Sequence, residues 1–338
     1  MKTLFITAVF HMKLRGALGR GIRLPNGLIL TNSQEEVGKL LSTNFERLVG
    51  QIEANTLRHA NAVIYSITEQ PQSFPKSGDE APHLLNKHLG NVLLFLLALW
   101  FVKDNSVNIE LGFLEYPHGN PSVAKVTSNF RAARFAQADG SIRETEFTES
   151  EARCARDVYK MLFAADVVDQ DENSGYLMPE DFSRLSRLFY FIQSTRNSSD
   201  LSIRIAGYVT CFEALFCTDS SEMAHKLSER VAFFLGKTPA ERSDIFKHVK
   251  AAYNIRSKAV HGDKISKKLA DQALSISVEC DQLLRNALFK ILTTPSLSKV
   301  FSGFSQSLEE YFTSLVLDYQ SMNANNSVQP THKKDALG

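Results

Sequence analysis

The apolar positions change period partway along the chain. Residues 3–10, Thr-Leu-Phe-Ile-Thr-Ala-Val-Phe, are β-branched and aromatic enough to predict a strand. Leu24-Pro25-Asn26-Gly27 carries the Asn-Gly tight-turn signal, so residues 27–31 are expected to form a hairpin arm. Ser33-Gln34-Glu35-Glu36 reads as a capping box. Val37, Leu40, Leu41, Phe45, Leu48, Val49 and Ile52 follow at helical spacing and predict one amphipathic helix. Residues 62–68 and 107–114 read as strands, and residues 70–82, with three prolines, as a loop. Residues 83–102 are apolar on nearly every side, which predicts a helix at the centre of a domain. Ala138-Asp139-Gly140-Ser141 predicts a turn joining strands 123–137 and 142–147 into a hairpin. Residues 1–148 are therefore expected to form an α+β domain on a mainly antiparallel sheet, and they show no catalytic constellation. His59, His83, His88 and His118 are scattered through it and read as packed or solvated residues.

Beyond residue 148 the period is helical throughout. Thr148-Glu149-Ser150-Glu151 is a second capping box, opening a connecting helix. Residues 166–175 are acidic and polar. Asp169, Asp171, Asn173 and Glu180 match positions of a calcium loop, but Ser174 stands where that loop needs Gly, so 149–177 is read as a connecting helix and linker. An all-α bundle is expected over 178–318. Its stripes run through Phe182–Ile192, through Leu201–Phe216 capped by Asp200, and through Met223–Leu235 ended by Gly236. Thr238-Pro239-Ala240-Glu241 starts the next helix with a capping box and Pro in its first turn. Phe246, Val249, Tyr253 and Val260 are expected to face the core, with Asn254, Lys258 and His261 sharing the other face. Two more helices complete the bundle, and residues 319–338, polar and rich in Asn and Ser, are expected to be disordered.

Composition narrows the chemistry. With 338 residues there is room for two domains of ordinary size. The net charge of +1 means that any nucleic-acid site must be a local patch. One candidate is the stretch 247–268, where Lys247, Lys250, Arg256, Lys258, Lys264, Lys267 and Lys268 face Asp263 as the one acid; a solvated helix face is the equal alternative. The 4 cysteines, Cys154, Cys211, Cys217 and Cys280, lie in predicted helices without metal-ligand spacing. They read as small buried thiols of a reduced, cytoplasmic protein. The apolar run at 92–102 is shorter than the roughly 20 residues that cross a bilayer, so no membrane role, metal or cofactor is expected.

Tyr253-Asn254-Ile255-Arg256-Ser257-Lys258-Ala259-Val260-His261-Gly262 carries the most specific chemistry. Gly262 suits the left-handed residue that closes a helix. Arg256 and His261 are five apart, about 140° around the helix, so they flank one groove without overlaying. A planar guanidinium suits a phosphate, and a histidine moves protons near neutral pH. Together they suit phosphodiester cleavage by the RNA's own 2′-hydroxyl, which needs a base, an acid and positive charge on the phosphorane.

Arg-x4-His at the end of a bundle helix, followed by Gly, resembles the Rx4–6H signature of HEPN domains. Tyr253-Asn254-Ile255-Arg256, Phe212-Glu213-Ala214-Leu215-Phe216 and Glu229-Arg230-Val231-Ala232 resemble the Apea-like branch of that superfamily; the likeness covers residues 178–293. The resemblance implies a helical bundle that pairs into a homodimer and cleaves RNA without metal, in antiviral defence or as a toxin, with an antitoxin or regulatory protein as a further partner. It implies Arg256 and His261 as catalytic residues, with Tyr253, Asn254, Ser257 and Lys258 at the substrate. Glu213 and Glu229, among apolar neighbours, are expected to pair with Arg230 or to hold Arg256 in position. The chain departs from the pattern at Ser257, where many active members carry Asn, Asp or His. The alternative is a non-catalytic module of the same shape that binds a nucleotide, RNA or a protein.

Overall fold

The computed structural model describes residues 2–69, 80–118, 120–131, 134–164, 184–219 and 222–326. The calcium-like pattern at 169–180 and the end of the chain from 327 lie outside them. Strand β1 (Thr3–Phe10) is the axis of the N-terminal half. It pairs antiparallel with β5 (Ala62–Thr68) on one side and β6 (Asn108–His118) on the other. β3 (Ile22–Arg23), β4 (Ile29–Thr31) and β7 (Asn120–Phe130) complete a six-stranded antiparallel sheet in the order β3-β4-β5-β1-β6-β7. β1 is apolar at nearly every position because both of its faces are covered. Leu4, Ile6 and Ala8 pack with Val37, Phe45 and Leu57. Phe5 and Val9 face the central helix α4 (Glu80–Val102). At Gly112 a β-carbon would come within 2.7 Å of the Leu89 side chain on α4, so any larger residue at that crossing would have to displace buried Leu89.

Local pairing departs from expectation in two places. The single helix predicted after Ser33 is three short ones: α1 (Gln34–Leu40), α2 (Thr43–Val49) and α3 (Gln51–His59). Ser33 caps α1 as expected, but Ser42 caps a new start by accepting the Phe45 amide, and Gly50 turns the chain at φ +96°. The bends turn Ile52 out to solvent, 79 % exposed. The second departure concerns residues 123–147. Gly140 does make the expected turn, but no hairpin forms about it, because β7 pairs back onto β6. The far arm becomes β8 (Thr145–Thr148), which pairs parallel with β2 (Met12–Arg15). The residues between are bonded to the helical half instead.

That half begins after α5 (Glu149–Ala164), opened by the Thr148/Glu151 capping box. It comprises α6 (Arg184–Asn197), α7 (Leu201–Phe216), α8 (Met223–Leu235), α9 (Pro239–His261), α10 (Lys267–Thr293), α11 (Pro295–Ser302) and α12 (Ser305–Asn326). The last of these carries the chain in helical form past the point where disorder was expected. Phe216, Phe234, Phe301 and Phe312 pack edge to face at its base. Arg230 pairs there with both oxygens of Glu309, at 2.6 Å, rather than with Glu213 or Glu229. α4 is long and apolar enough to cross a membrane. From Val92 to Phe101, however, all but Leu93 is buried within the protein.

One apolar core runs from Phe5 to Phe312 through both halves, and a buried polar network lies across their junction. Asp281 on α10 is 1 % exposed. Its Oδ1 accepts from Trp100 Nε1 of α4 at 2.7 Å and from the Tyr208 hydroxyl of α7 at 2.9 Å. Its Oδ2 accepts from Arg285 Nε at 2.8 Å. Around it, Arg196 donates to the Asn105 carbonyl and lies over the rings of Trp100 and Phe135. Arg204 donates to the Ala136 carbonyl, and Ser277 to that of Ala138. Burial, then the charge of Asp281, pushes the Asp104 carboxyl up to about 6.

Two outcomes follow from this packing. Asp281→Ala strands two buried donors, Trp100 and Tyr208, and the half-buried Arg285, and should cost about 3–5 kcal/mol in urea unfolding, the range for breaking a buried charged network. His88 stacks on Phe5 at 4.7 Å, and burial, aided by Lys87, lowers it to about 4. Its folded value is depressed below the unfolded 6.5, so stability is present above pH 6.5 and lost as pH falls through about 4. The fall in unfolding midpoint across that window should be shallower in His88→Phe than in the wild type.

Candidate functional site

Helix α9 begins as its sequence requires. Thr238 accepts the Glu241 amide, Glu241 accepts the Lys237 amide, and Pro239 occupies the first turn. It ends at Gly262, left-handed at φ +77°, whose amide and that of Asp263 both bond the Lys258 carbonyl. Its buried stripe is Val249, Ala252 and Ile255, packed on α7, α8 and α10. The expected core face is thus rotated. Of Phe246, Val249, Tyr253 and Val260, only Val249 is sealed; Phe246 and Tyr253 are half-buried and Val260 is 59 % exposed. Ala252 explains the rotation, because a small side chain lets neighbouring helices approach on that line.

Arg256 leaves this stripe sideways. Its side chain is 27 % exposed and donates to Glu213 Oε2 on α7 at 3.4 Å, while its guanidinium lies 5.8 Å from the Tyr253 ring centre. Glu213 therefore holds Arg256, one of the roles expected of it. The contact is long and single, leaving Arg256 Nε and Glu213 Oε1 buried without a protein partner. Burial raises the Glu213 carboxyl, with Arg256 opposing the shift. Glu229, half-buried, makes no hydrogen bond or ion pair among the described residues.

His261 stands in solvent at the end of the helix and has no hydrogen-bond partner among the described residues. No hydrogen bond joins it to Arg256 within the chain. Asn254 is exposed, Ser257 is half-buried, and Lys258 Nζ donates to the Lys264 carbonyl at 3.3 Å. Lys264, Lys267 and Lys268 are exposed in and after the turn into α10, whereas Lys247 is partly neutralised by Asp244.

The other side of α9 holds a feature the sequence reading passed over. An open groove of about 700 Å³ separates it from the start of α8, lined by Glu222, Met223, Ala224, His225, Lys250 and Tyr253. The His225 ring stands edge-on to Phe246 at 5.3 Å, and Lys250 lies 5.6 Å from the same ring. Phe246, Lys250 and Tyr253 fall at i, i+4 and i+7, the one signal in the sequence that could have marked this wall. Tyr253 joins the groove to Arg256. The thiols supply no nucleophile here: burial pushes Cys211 up to about 12 and Cys217 to about 11, and raises Cys280 as well. Cys154, expected to be buried, is exposed on α5. Among the described residues no group of three or more His, Cys, Asp or Glu is placed to hold a metal ion.

A β-carbon on Gly262 would meet nothing within 4 Å, so only its backbone demands glycine. Gly262→Ala should therefore lower stability by about 1–2 kcal/mol, the cost of a left-handed residue with a side chain, and Gly262→Asn by less, as read by thermal unfolding. No family model, no curated protein and no solved structure matches the chain.

Proposed function

We propose that this chain is a metal-independent endoribonuclease of the HEPN kind, acting as a homodimer in which the ends of two α9 helices face each other. The observation that supports it is the end of α9 itself. An imidazole is left in solvent little more than one helical turn from a guanidinium that Glu213 and Tyr253 hold in place. Within one chain no hydrogen bond joins the two groups, and a second copy would complete the site. Exposed apolar side chains at Val260, and at Leu274 and Val278 on α10, offer surface for that copy to cover.

In the reaction, one His261 accepts the proton of an RNA 2′-hydroxyl as its oxygen attacks the adjacent phosphorus. The His261 of the other copy gives a proton to the departing 5′-oxygen. Arg256 pairs with the non-bridging oxygens as charge builds on them. The products are a 2′,3′-cyclic phosphate and a 5′-hydroxyl. The exposed lysines after Gly262 would seat the flanking phosphates. A role in antiviral defence or as a toxin, held in check by an antitoxin or regulatory protein, rests on the resemblance alone.

A second reading is favoured by one contact. Arg256 already spends a donor on Glu213, which suits a bundle that binds RNA, a nucleotide or a protein without cutting. The two separate in one assay with EDTA present. If the enzyme reading holds, RNA is cut to cyclic-phosphate ends, and His261→Ala and Arg256→Ala each lose about 10²–10⁴-fold in rate, the range for positioned proton transfer. If the wild type binds RNA and leaves it whole, the binding module stands instead; if His261→Ala cuts as fast as the wild type, the proposed role of His261 fails.

A further inference from the structure

The N-terminal half carries a second concavity, remote in sequence from the α9 motif. β1 ends at Phe10, and the chain turns into β2 through His11 at φ +59°. Only His11 and Glu222 among the described non-glycine residues take a positive φ. Such a conformation is uncommon for a residue with a side chain and persists where the surrounding structure dictates it. Here the turn sets His11 on the rim of a cavity of about 520 Å³, within the range of small-molecule sites. Glu110 of β6, Phe130 and Arg131 at the end of β7, and Arg134 and Ile142 beyond it line the same space.

The rim is fixed by its backbone. The Arg131 amide donates to the Glu110 carbonyl at 3.0 Å, and the Thr145 amide to that of His11 at 2.9 Å. The Arg134 amide donates to Asn197 Oδ1 on α6 at 2.8 Å. Buried Asn108 clamps Phe135 through both its amide and its carbonyl, at 3.0 and 2.8 Å. With the backbone held, the side chains divide by chemistry. Phe130, 56 % exposed, and Ile142 give an apolar wall. The cavity has two guanidiniums and one imidazole against the single carboxylate of Glu110. The Arg134 guanidinium has no hydrogen bond or ion pair among the described residues.

We infer that this cavity binds a small anion bearing a flat ring, of the nucleoside monophosphate class. The ring would lie against Phe130 and Ile142, and the anion would pair with Arg134, whose planar fork suits a phosphate or a carboxylate. Glu110 would accept from a ring amino group or a sugar hydroxyl. The cationic rim disfavours cationic ligands, and the apolar wall adds to what inorganic phosphate alone would gain. The site is separate from the RNA reading and stands or falls without it.

Titration calorimetry on the full chain decides the matter, with AMP, adenosine, inorganic phosphate and 4-hydroxyphenylacetate as probes. AMP should bind saturably, and adenosine and phosphate each at least about tenfold more weakly, since each lacks one half of the recognition. AMP affinity should fall about tenfold in Arg134→Ala and in Phe130→Ala, with thermal unfolding unchanged at these surface positions. Tight binding of 4-hydroxyphenylacetate that also depends on Arg134 would keep the ring-plus-anion site and assign it a carboxylate. Absence of saturable binding by both AMP and 4-hydroxyphenylacetate overturns the inference. So does AMP binding that Arg134→Ala leaves untouched, because that places the ligand elsewhere.

Discussion

The Asp281 carboxylate sits out of water between two halves of different architecture, and it is tolerated because three donors from three places converge on it. Trp100 comes from the central helix of the sheet domain, Tyr208 from the middle of the bundle, and Arg285 from one turn further along α10. A buried ion contributes little net stability over an apolar replacement, yet it penalises any arrangement in which its donors are absent. The network therefore acts as a register. α4, α7 and α10 can pack at this point only in the relation that satisfies Asp281. Arg196 and Arg204 extend the same logic to the segment at 134–138, which they hold against α6 and α7 by the Ala136 carbonyl and by the Phe135 ring. That segment begins beside the cavity lined by Arg134. A ligand there would press on the strip of chain that joins the two halves.

What was legible in the sequence was what short-range physics decides. Asp200, Thr148, Thr238 and Gly262 each cap the helix end that their neighbours announce, because a capping bond spans only a few residues. The apolar character of α4 and the strand at 3–10 were equally plain, since burial on all sides leaves no polar face to misread. Ser42 and Gly50 were also visible, but hydrophobic period alone favoured continuing through them. The bends show only in Leu48 and Ile52, which keep helical spacing and yet face solvent. Pairing across distance was not legible. Nothing near residue 145 announces a parallel partner at Met12, and nothing near Arg230 announces Glu309.

The candidate site divides along the same line. Its position and its helix end follow from the motif and from Gly262. Its inner geometry follows from tertiary choices, above all the narrow stripe of Val249, Ala252 and Ile255 that sets how α9 is rolled against its neighbours. With that roll, Arg256 meets Glu213, while Phe246, Lys250 and Tyr253 line a groove that a core-facing assignment of Phe246 and Tyr253 concealed.

The Arg256–Glu213 contact bears on either function. A fully paired, short, bidentate ion pair would occupy the guanidinium, as Glu309 occupies Arg230. Glu213 instead offers one oxygen at 3.4 Å from a half-buried position where burial already works against its charge. A phosphate reaching Arg256 would bring a stronger acceptor to donors that are not filled, and Glu213 could answer by taking a proton instead of remaining an unpaired buried charge. The pair thus holds the guanidinium in place through one long contact that leaves Arg256 Nε without a protein partner. His261 needs no such release, because it already stands in solvent in the last turn of α9. Among the described residues it has no hydrogen-bond partner, and that is why the proposed reaction calls on a second copy of the same helix end.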